Sequence, residues 1–247
     1  MKIKILTWNI NKASYTRKNL WKYLKELDFD IGLFQEVYII PHEIRKNYHI
    51  VRGEMNAILL KIDIFTNVEK ENILQVNSEN DVIADFCVSC ETTLFGNKLA
   101  LLSIYNYIGP NVRDFSEFLE ILYGYIQDNR NKIIIIGGDF NMDKKFQKQL
   151  REWGLLAREM KKELSKIGYI DVLYEKYGEN TFTFLASNKK PYQLDYLFIP
   201  KNIKLIDVKV GDKNEIFNTK PKLSDHLPII ATVDIKGNYL TPDFHKI

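Results

Sequence analysis

The 247-residue sequence predicts an α/β fold in which β-sheets pack against each other in the interior and helices cover the outside. Three observations carry that expectation. Segments with strand alternation and segments with helical periodicity are interspersed from end to end. The run of isoleucines at 133–136 fits a strand covered on both faces. A composition of 45% hydrophobic and 27% charged residues supplies a large core and a wettable surface, which excludes disorder, collagen-like repetition and coiled coil. No Pro/Gly/Ser linker, internal repeat or low-complexity tract divides the chain. A single domain over 1–247 is therefore expected, since layered α/β units run to about 250 residues.

The elements follow in order. MKIKILTWNI alternates as a strand over 2–9. A helix over 16–27 comes next, with Thr16 as its cap and Leu20, Tyr23, Leu24 and Leu27 as its apolar stripe. DIGLFQEV is a second strand, and 56–64, 81–92 and 98–106 are further strands separated by polar stretches. Phe115, Phe118, Leu119, Leu122 and Ile126 recur at helical spacing and predict a helix over 112–129. In KIIIIGGDFN, the paired glycines let the backbone turn sharply at the strand's end. Phe146, Leu150 and Trp153 predict a helix over 143–153 that stops at Gly154, with another over 155–167. TFTFLA, YQLDYLFIP, IKLIDVKV and LPIIATVDI complete the chain as strands.

Charge and cysteine usage restrict the function only weakly. The formal charge is +3; residues 1–100 balance 13 basic against 13 acidic groups, and the excess lies beyond them. That asymmetry alone does not identify nucleic acid. The two cysteines, Cys87 and Cys90, stand three apart in a strand and so point to opposite faces. They read as small buried or half-buried side chains, not as a zinc or redox pair. The N-terminus lacks a signal peptide's apolar core, and no apolar run approaches the roughly 20 residues that span a bilayer. A soluble, cytoplasmic protein acting away from membranes, as a monomer, is the expectation.

The chemistry lies at the ends of the apolar strands. Asn9 ends the first, Glu36 the second, and Asp139 with Asn141 the isoleucine-rich one. Asp195 lies inside YQLDYLFIP, and Asp225 with His226 precedes the last strand. Any one of these residues is ordinarily a turn, cap or surface group. Together, at one edge of a sheet, they would share a cleft. Oxygen-rich ligands of this kind suit magnesium, which keeps several waters and takes few protein carboxylates, and so point to phosphate ester hydrolysis.

The strings TWNIN, LFQEV, GGDFNMD, QLDYLFIP and LSDHLPI, in this order within residues 3–235, resemble the endonuclease/exonuclease/phosphatase superfamily, most closely its exonuclease III and abasic-site endonuclease branch. The resemblance implies a DNase I-like four-layer α/β sandwich, two packed, mainly antiparallel sheets flanked by helices, with a core at about 3–235. It implies Glu36 as principal metal ligand, with Asn9 and Asp225 near the metal or its waters. Asp139 would orient or deprotonate the attacking water, and Asn141 would bond the scissile phosphate or the nucleophile. His226 would contact a phosphate oxygen with Asp195 on its other ring nitrogen, and Tyr105 would lie nearest the leaving oxygen or the phosphate. Tyr192 stands where abasic-site enzymes place an aromatic against an extrahelical sugar, with Phe184 as a second wall, although either ring could equally be a core or surface aromatic. Asn11 occupies a position that is commonly Asp in that branch. Lys144, Lys145, Lys148, Lys189, Lys190, Lys220 and Lys222 are frequent near the site strings and suit a phosphate backbone, although such a run is more often a solvated face.

The expected activity is that of a magnesium-dependent phosphodiesterase, with manganese as possible substitute, cutting DNA as an endonuclease or exonuclease. The alternatives are a phosphatase or phosphodiesterase acting on RNA, nucleotides or phosphorylated lipid head groups, and a non-catalytic adaptor on the same fold.

Overall fold

A computed structural model describes residues 1–71, 86–106, 112–186 and 190–237. The element order is β1 (Lys2–Ala13), α1 (Lys18–Leu27), β2 (Ile31–Val37), α2 (His42–Arg45), β3 (Tyr48–Arg52), β4 (Asn56–Lys61), β5 (Val68–Glu71), β6 (Cys87–Leu94) and β7 (Asn97–Tyr105). Then come α3 (Val112–Asp128), β8 (Ile133–Asp139), α4 (Arg151–Lys166), β9 (Tyr169–Asp171), α5 (Val172–Tyr177), β10 (Phe184–Leu185) and β11 (Pro191–Tyr192). The chain closes with β12 (Asp195–Pro200), β13 (Lys204–Val210), α6 (Lys213–Phe217) and β14 (Ile229–Asp234).

Two six-stranded sheets result, ordered β13-β14-β1-β2-β4-β3 and β5-β6-β7-β8-β12-β9. Among the described residues, the β1–β2 and β7–β8 pairs are parallel and the other pairs antiparallel. Strand alternation then builds three cores. Ile5, Leu33, Leu101, Ile133 and Ile135 pack between the sheets. Leu6, Trp8 and Phe34, on the other face of the first sheet, meet Leu20, Trp21 and Leu24 of α1. Ile134 and Ile136, on the outer face of the second, meet Phe115, Phe118 and Leu122 of α3 and Met160 of α4. The isoleucine run is covered on both faces, one by a sheet and the other by helices, giving the four layers of a DNase I-like sandwich. Among the described residues, no helix is long and apolar enough to cross a membrane.

The structure corrects several expectations. Thr16 does not cap the first helix, which begins at Lys18 after Arg17 with no side-chain cap bond; the Thr16 hydroxyl pairs instead with Ser14. The two helices expected on either side of Gly154 are one, α4, which runs through it after a 3-10 turn over Lys148–Leu150. Gly154 is a packing glycine: a Cβ there would lie 2.8 Å from the Phe146 carbonyl oxygen. The paired glycines belong to β8 itself, not to a turn after it. Gly138, at φ +155°, brings β8 so close to β7 that a Cβ would sit 1.9 Å from the Ile104 carbonyl oxygen. The strand expected over 56–64 ends at Lys61, and the start of the one expected over 81–92 lies outside the described residues. Cys87 is half-buried against the α3 side, whereas Cys90 is buried between the sheets.

Candidate active site

Register alone brings three of the expected residues side by side. Tyr105 of β7 lies opposite Asp139 of β8, and Asp139 opposite Asp195 of β12. The first sheet contributes Asn9 and Glu36 from the adjacent parallel strands β1 and β2, and the segment before β14 contributes Asp225 and His226. Glu36, Asn11 and Asn141 have φ of 53°, 48° and 49°, a left-handed conformation that side chains other than glycine adopt at some energetic cost. At each of them the chain leaves regular strand geometry inside the cleft.

The hydrogen bonds run continuously through the group. Asn9 Nδ2 donates to Glu36 Oε1 at 3.1 Å and to Asp139 Oδ2 at 3.0 Å, and its Oδ1 accepts the Asn11 N–H at 2.9 Å. Asn11 Nδ2 reaches Asp225 Oδ1 at 2.8 Å. The Tyr105 hydroxyl donates to Glu36 Oε1 at 2.9 Å. Asn141 donates its backbone N–H and its Nδ2 to the two oxygens of Asp139 at 3.0 and 3.1 Å. His226 Nδ1 lies 2.8 Å from Asp195 Oδ2, and its Nε2 is 3.8 Å from Asp139 Oδ2. The imidazole thus stands between two buried carboxylates, one in hydrogen-bond contact and the other across a short gap.

Electrostatics follow from that enclosure. Burial alone would push the His226 proton off, but Asp195, Asp139 and Asp225 outweigh it and raise its pKa to about 10. Burial raises the Asp139 carboxyl, reinforced by Asp195 and opposed by His226. Burial, then Glu36, drives the Tyr105 phenol upward, keeping it a neutral donor. His226 binds its proton more tightly folded than unfolded, so the stability it contributes is complete below 6.5, the unfolded value, and is lost as pH rises from there toward about 10. Thermal unfolding in EDTA should show the midpoint falling across that window, with His226→Gln flattening the decline. A wild-type midpoint that climbs there contradicts the assignment.

The residues present fit a divalent cation. Four carboxyl groups, those of Glu36, Asp139, Asp195 and Asp225, converge with one imidazole, an excess of negative oxygen that a hard cation balances. Both hydrogen bonds recorded for Glu36 fall on Oε1, leaving Oε2 as a donor atom at a half-buried position. Asp139, Asp195 and His226 themselves present one ligand atom each within 4.8 Å of one another. However, the Asp195 oxygen in contact with the ring is already bonded to it, and Asp139 accepts from two asparagines.

Phe184 packs its ring 4.8 Å from that of His226, beside which its backbone forms an isolated bridge. Tyr192, opposite Phe184 in the β10–β11 pair, packs on Phe146 at 5.0 Å. Of the lysines, Lys222 lies 4.0 Å from Asp225, Lys144 turns toward the Tyr174 ring, and Lys189 is outside the described residues. Sequence reasoning missed the residues that hold the site in place. Ser224 Oγ donates to the Asn9 carbonyl at 2.7 Å and accepts the His226 N–H at 3.1 Å. Thr183 Oγ1 accepts the Leu194 and Asp195 N–H groups, and Asn106 Nδ2 donates to the Phe140 carbonyl at 2.8 Å. The Arg17 guanidinium bonds the Asn11, Lys222 and Leu223 carbonyls. Ser224, two residues before His226, carried a turn signal that could have been read.

A model of the Endonuclease/Exonuclease/phosphatase family matches residues 6–226. No curated protein matches the chain in sequence. Among solved structures, a 3′ phosphatase (NExo) from Neisseria bound to a product DNA hairpin is 17% identical with a TM-score of 0.71, covering 94% of this chain and 100% of that one. An AP endonuclease from Archaeoglobus fulgidus is 20% identical at 0.70, again covering 94% and 100%. D. rerio TDP2, complexed with single-strand DNA product, is 17% identical at 0.66, covering 95% and 99%. At these identities the likeness is one of fold.

Proposed function

The chain belongs to the endonuclease/exonuclease/phosphatase family, a family of phosphoric ester hydrolases, and on that premise we propose that it is a magnesium-dependent phosphodiesterase cutting DNA. The observation that carries this reading is His226 held 2.8 Å from Asp195 and 3.8 Å from Asp139, next to the Asn9–Glu36–Tyr105 group.

Asp139, whose carboxyl is raised above the ordinary carboxylate range, takes a proton from the attacking water, and Asn141 Oδ1 accepts that water's second hydrogen. The water oxygen bonds to phosphorus as the opposite P–O bond breaks, and the leaving oxygen takes a proton from solvent water to depart as an alcohol. His226, kept cationic and oriented by Asp195, donates to a non-bridging oxygen as its charge grows. Tyr105 fixes Glu36 and stands nearest the leaving oxygen. Glu36 and Asp225 would hold a divalent ion, magnesium with manganese as substitute, which would supply Lewis-acid stabilisation of the phosphate oxygens. Asn9 bonds both Glu36 and Asp139 and so ties the metal-ligand side of the site to the base. Phe184 and Tyr192 form an aromatic wall for the nucleotide. The DNA-bound state of similarly folded proteins supports nucleic acid as the substrate class.

The test is a labelled duplex with one abasic site, beside an intact duplex, single-stranded DNA, RNA and small phosphate esters, with magnesium and with EDTA. Magnesium-dependent cleavage of DNA is expected. Turnover of small esters alone would replace the nuclease reading with a phosphatase one, and silence across the panel would sink both.

A further inference from the structure

Close in the chain to the site residues Asn11 and Glu36 lies a second concave surface. From Asn11 the chain reaches Tyr15 in four residues, and from Glu36 it reaches Pro41 in five. The first path spans at most about 14 Å. The N–H groups of Tyr38 and Ile39 both donate to the Ala13 carbonyl, at 3.0 and 3.2 Å, and hold the two segments side by side. Against α1 they enclose a groove of about 530 Å³ whose apolar lining includes Tyr15, Trp21 and Pro41. Tyr15 is 62% exposed, and Tyr38 and Ile39, between Glu36 and Pro41 in the chain, are 48% and 49% exposed. Lys18, Lys22 and Lys25 also line the groove, with Glu43 as its acid. Their spacing of four and three residues puts the lysines on one face of α1. The Lys22–Glu26 ion pair, at 3.8 Å and largely exposed, holds Lys22 only weakly.

We infer that this groove binds the single-stranded flank of a nucleic-acid substrate, a base stacking on Tyr15 while phosphates follow Lys18, Lys22 and Lys25. The inference rests on the nucleic-acid reading of the cleft. Exposed rings beside a row of cations are what a base-and-phosphate polymer requires, and a small phosphate ester would use neither. Tyr15, at most about 14 Å along the chain from Asn11, is within reach of a strand leaving the scissile phosphate.

The experiment is fluorescence anisotropy of a labelled ten-residue thymidylate in EDTA, so that binding is read without turnover. Combined Lys18→Ala, Lys22→Ala and Lys25→Ala should weaken binding on the order of 10- to 100-fold and reduce the slope of log affinity against log salt by about 2, at about 0.7 per phosphate contact. Tyr15→Ala should weaken it by about 5- to 150-fold, the range of one stacked base. All four side chains are exposed, and hydrolysis of bis-p-nitrophenyl phosphate should be untouched. Unchanged affinity and salt slope in both variants, or no binding by the wild type, overturn the inference even if the protein cuts DNA. Displacement by polyglutamate that is indifferent to Tyr15 overturns it too, because the groove is then a general anion surface. Groove-dependent binding without hydrolysis of any ester would leave the groove standing and remove the proposed activity.

Discussion

His226→Gln should lower turnover of a phosphodiester by about 10²- to 10⁴-fold, the range spanned by losing a positioned proton donor or a charge-stabilising contact, and leave divalent-metal affinity unchanged. The glutamine matters as a choice. Asp195 is fully buried, and its Oδ1 has no hydrogen-bond partner among the described residues. Alanine at 226 would strand that carboxylate, a loss of about 3–5 kcal/mol of stability, and would confuse unfolding with lost chemistry. A glutamine amide can still donate to Asp195 but carries no charge to a phosphate oxygen. Steady-state kinetics with the metal saturating, beside the thermal midpoint, are the measurements. Wild-type turnover in a folded variant removes His226 from the chemistry.

Glu36→Gln should have the complementary signature. Glu36 Oε1 accepts from Asn9 and Tyr105, and a glutamine oxygen can accept both, so the substitution deletes charge and little else. Disturbing even a supporting partner of a metal ligand commonly reduces affinity 10- to 100-fold; for the ligand itself the metal concentration giving half-maximal activity should rise by about 100-fold or more. A readout independent of activity is available. Metal that binds only the folded protein at about 100 times its dissociation constant adds about 2.7 kcal/mol, so the metal-induced rise in thermal midpoint should disappear in the variant. A rise equal to that of the wild type would move the ion elsewhere, with the Asp139–Asp195–His226 group next in line.

Much of the fold was legible because its strongest signals are physical necessities. The run at 133–136 fits a strand covered on both faces and is one, and the stripe from Phe115 to Ile126 predicted α3 to within a residue of its observed end at Asp128. The failures have equally specific causes. Gly154 carries the usual helix-stop signal, yet here the requirement is tertiary, the approach of the Phe146 carbonyl. The edge strands β3, β5 and β9 are short and of mixed polarity, and α2, α5 and α6 are too short to show a period. In the site, the charged and amide residues stood out at strand ends. Thr183, Asn106 and Arg17 act on backbone groups, which no residue pattern reveals, Ser224 showed only as a turn signal, and the left-handed backbone at Glu36 has no side-chain signature at all.

The bonds from Ser224 to Asn9 and from Asn11 to Asp225, with β14 paired along β1, have a consequence for biosynthesis. Asn9 and Asn11 stand more than 200 residues before the Ser224, Asp225 and His226 that they must meet. Such remote pairing is slow to form. During translation, next to messenger and ribosomal RNA, the growing polypeptide holds Asn9, Glu36 and Asp139 but no imidazole to complete them. The proposed centre therefore closes only when the segment carrying Ser224, Asp225 and His226 reaches β1, and a nascent copy without that segment holds no complete site.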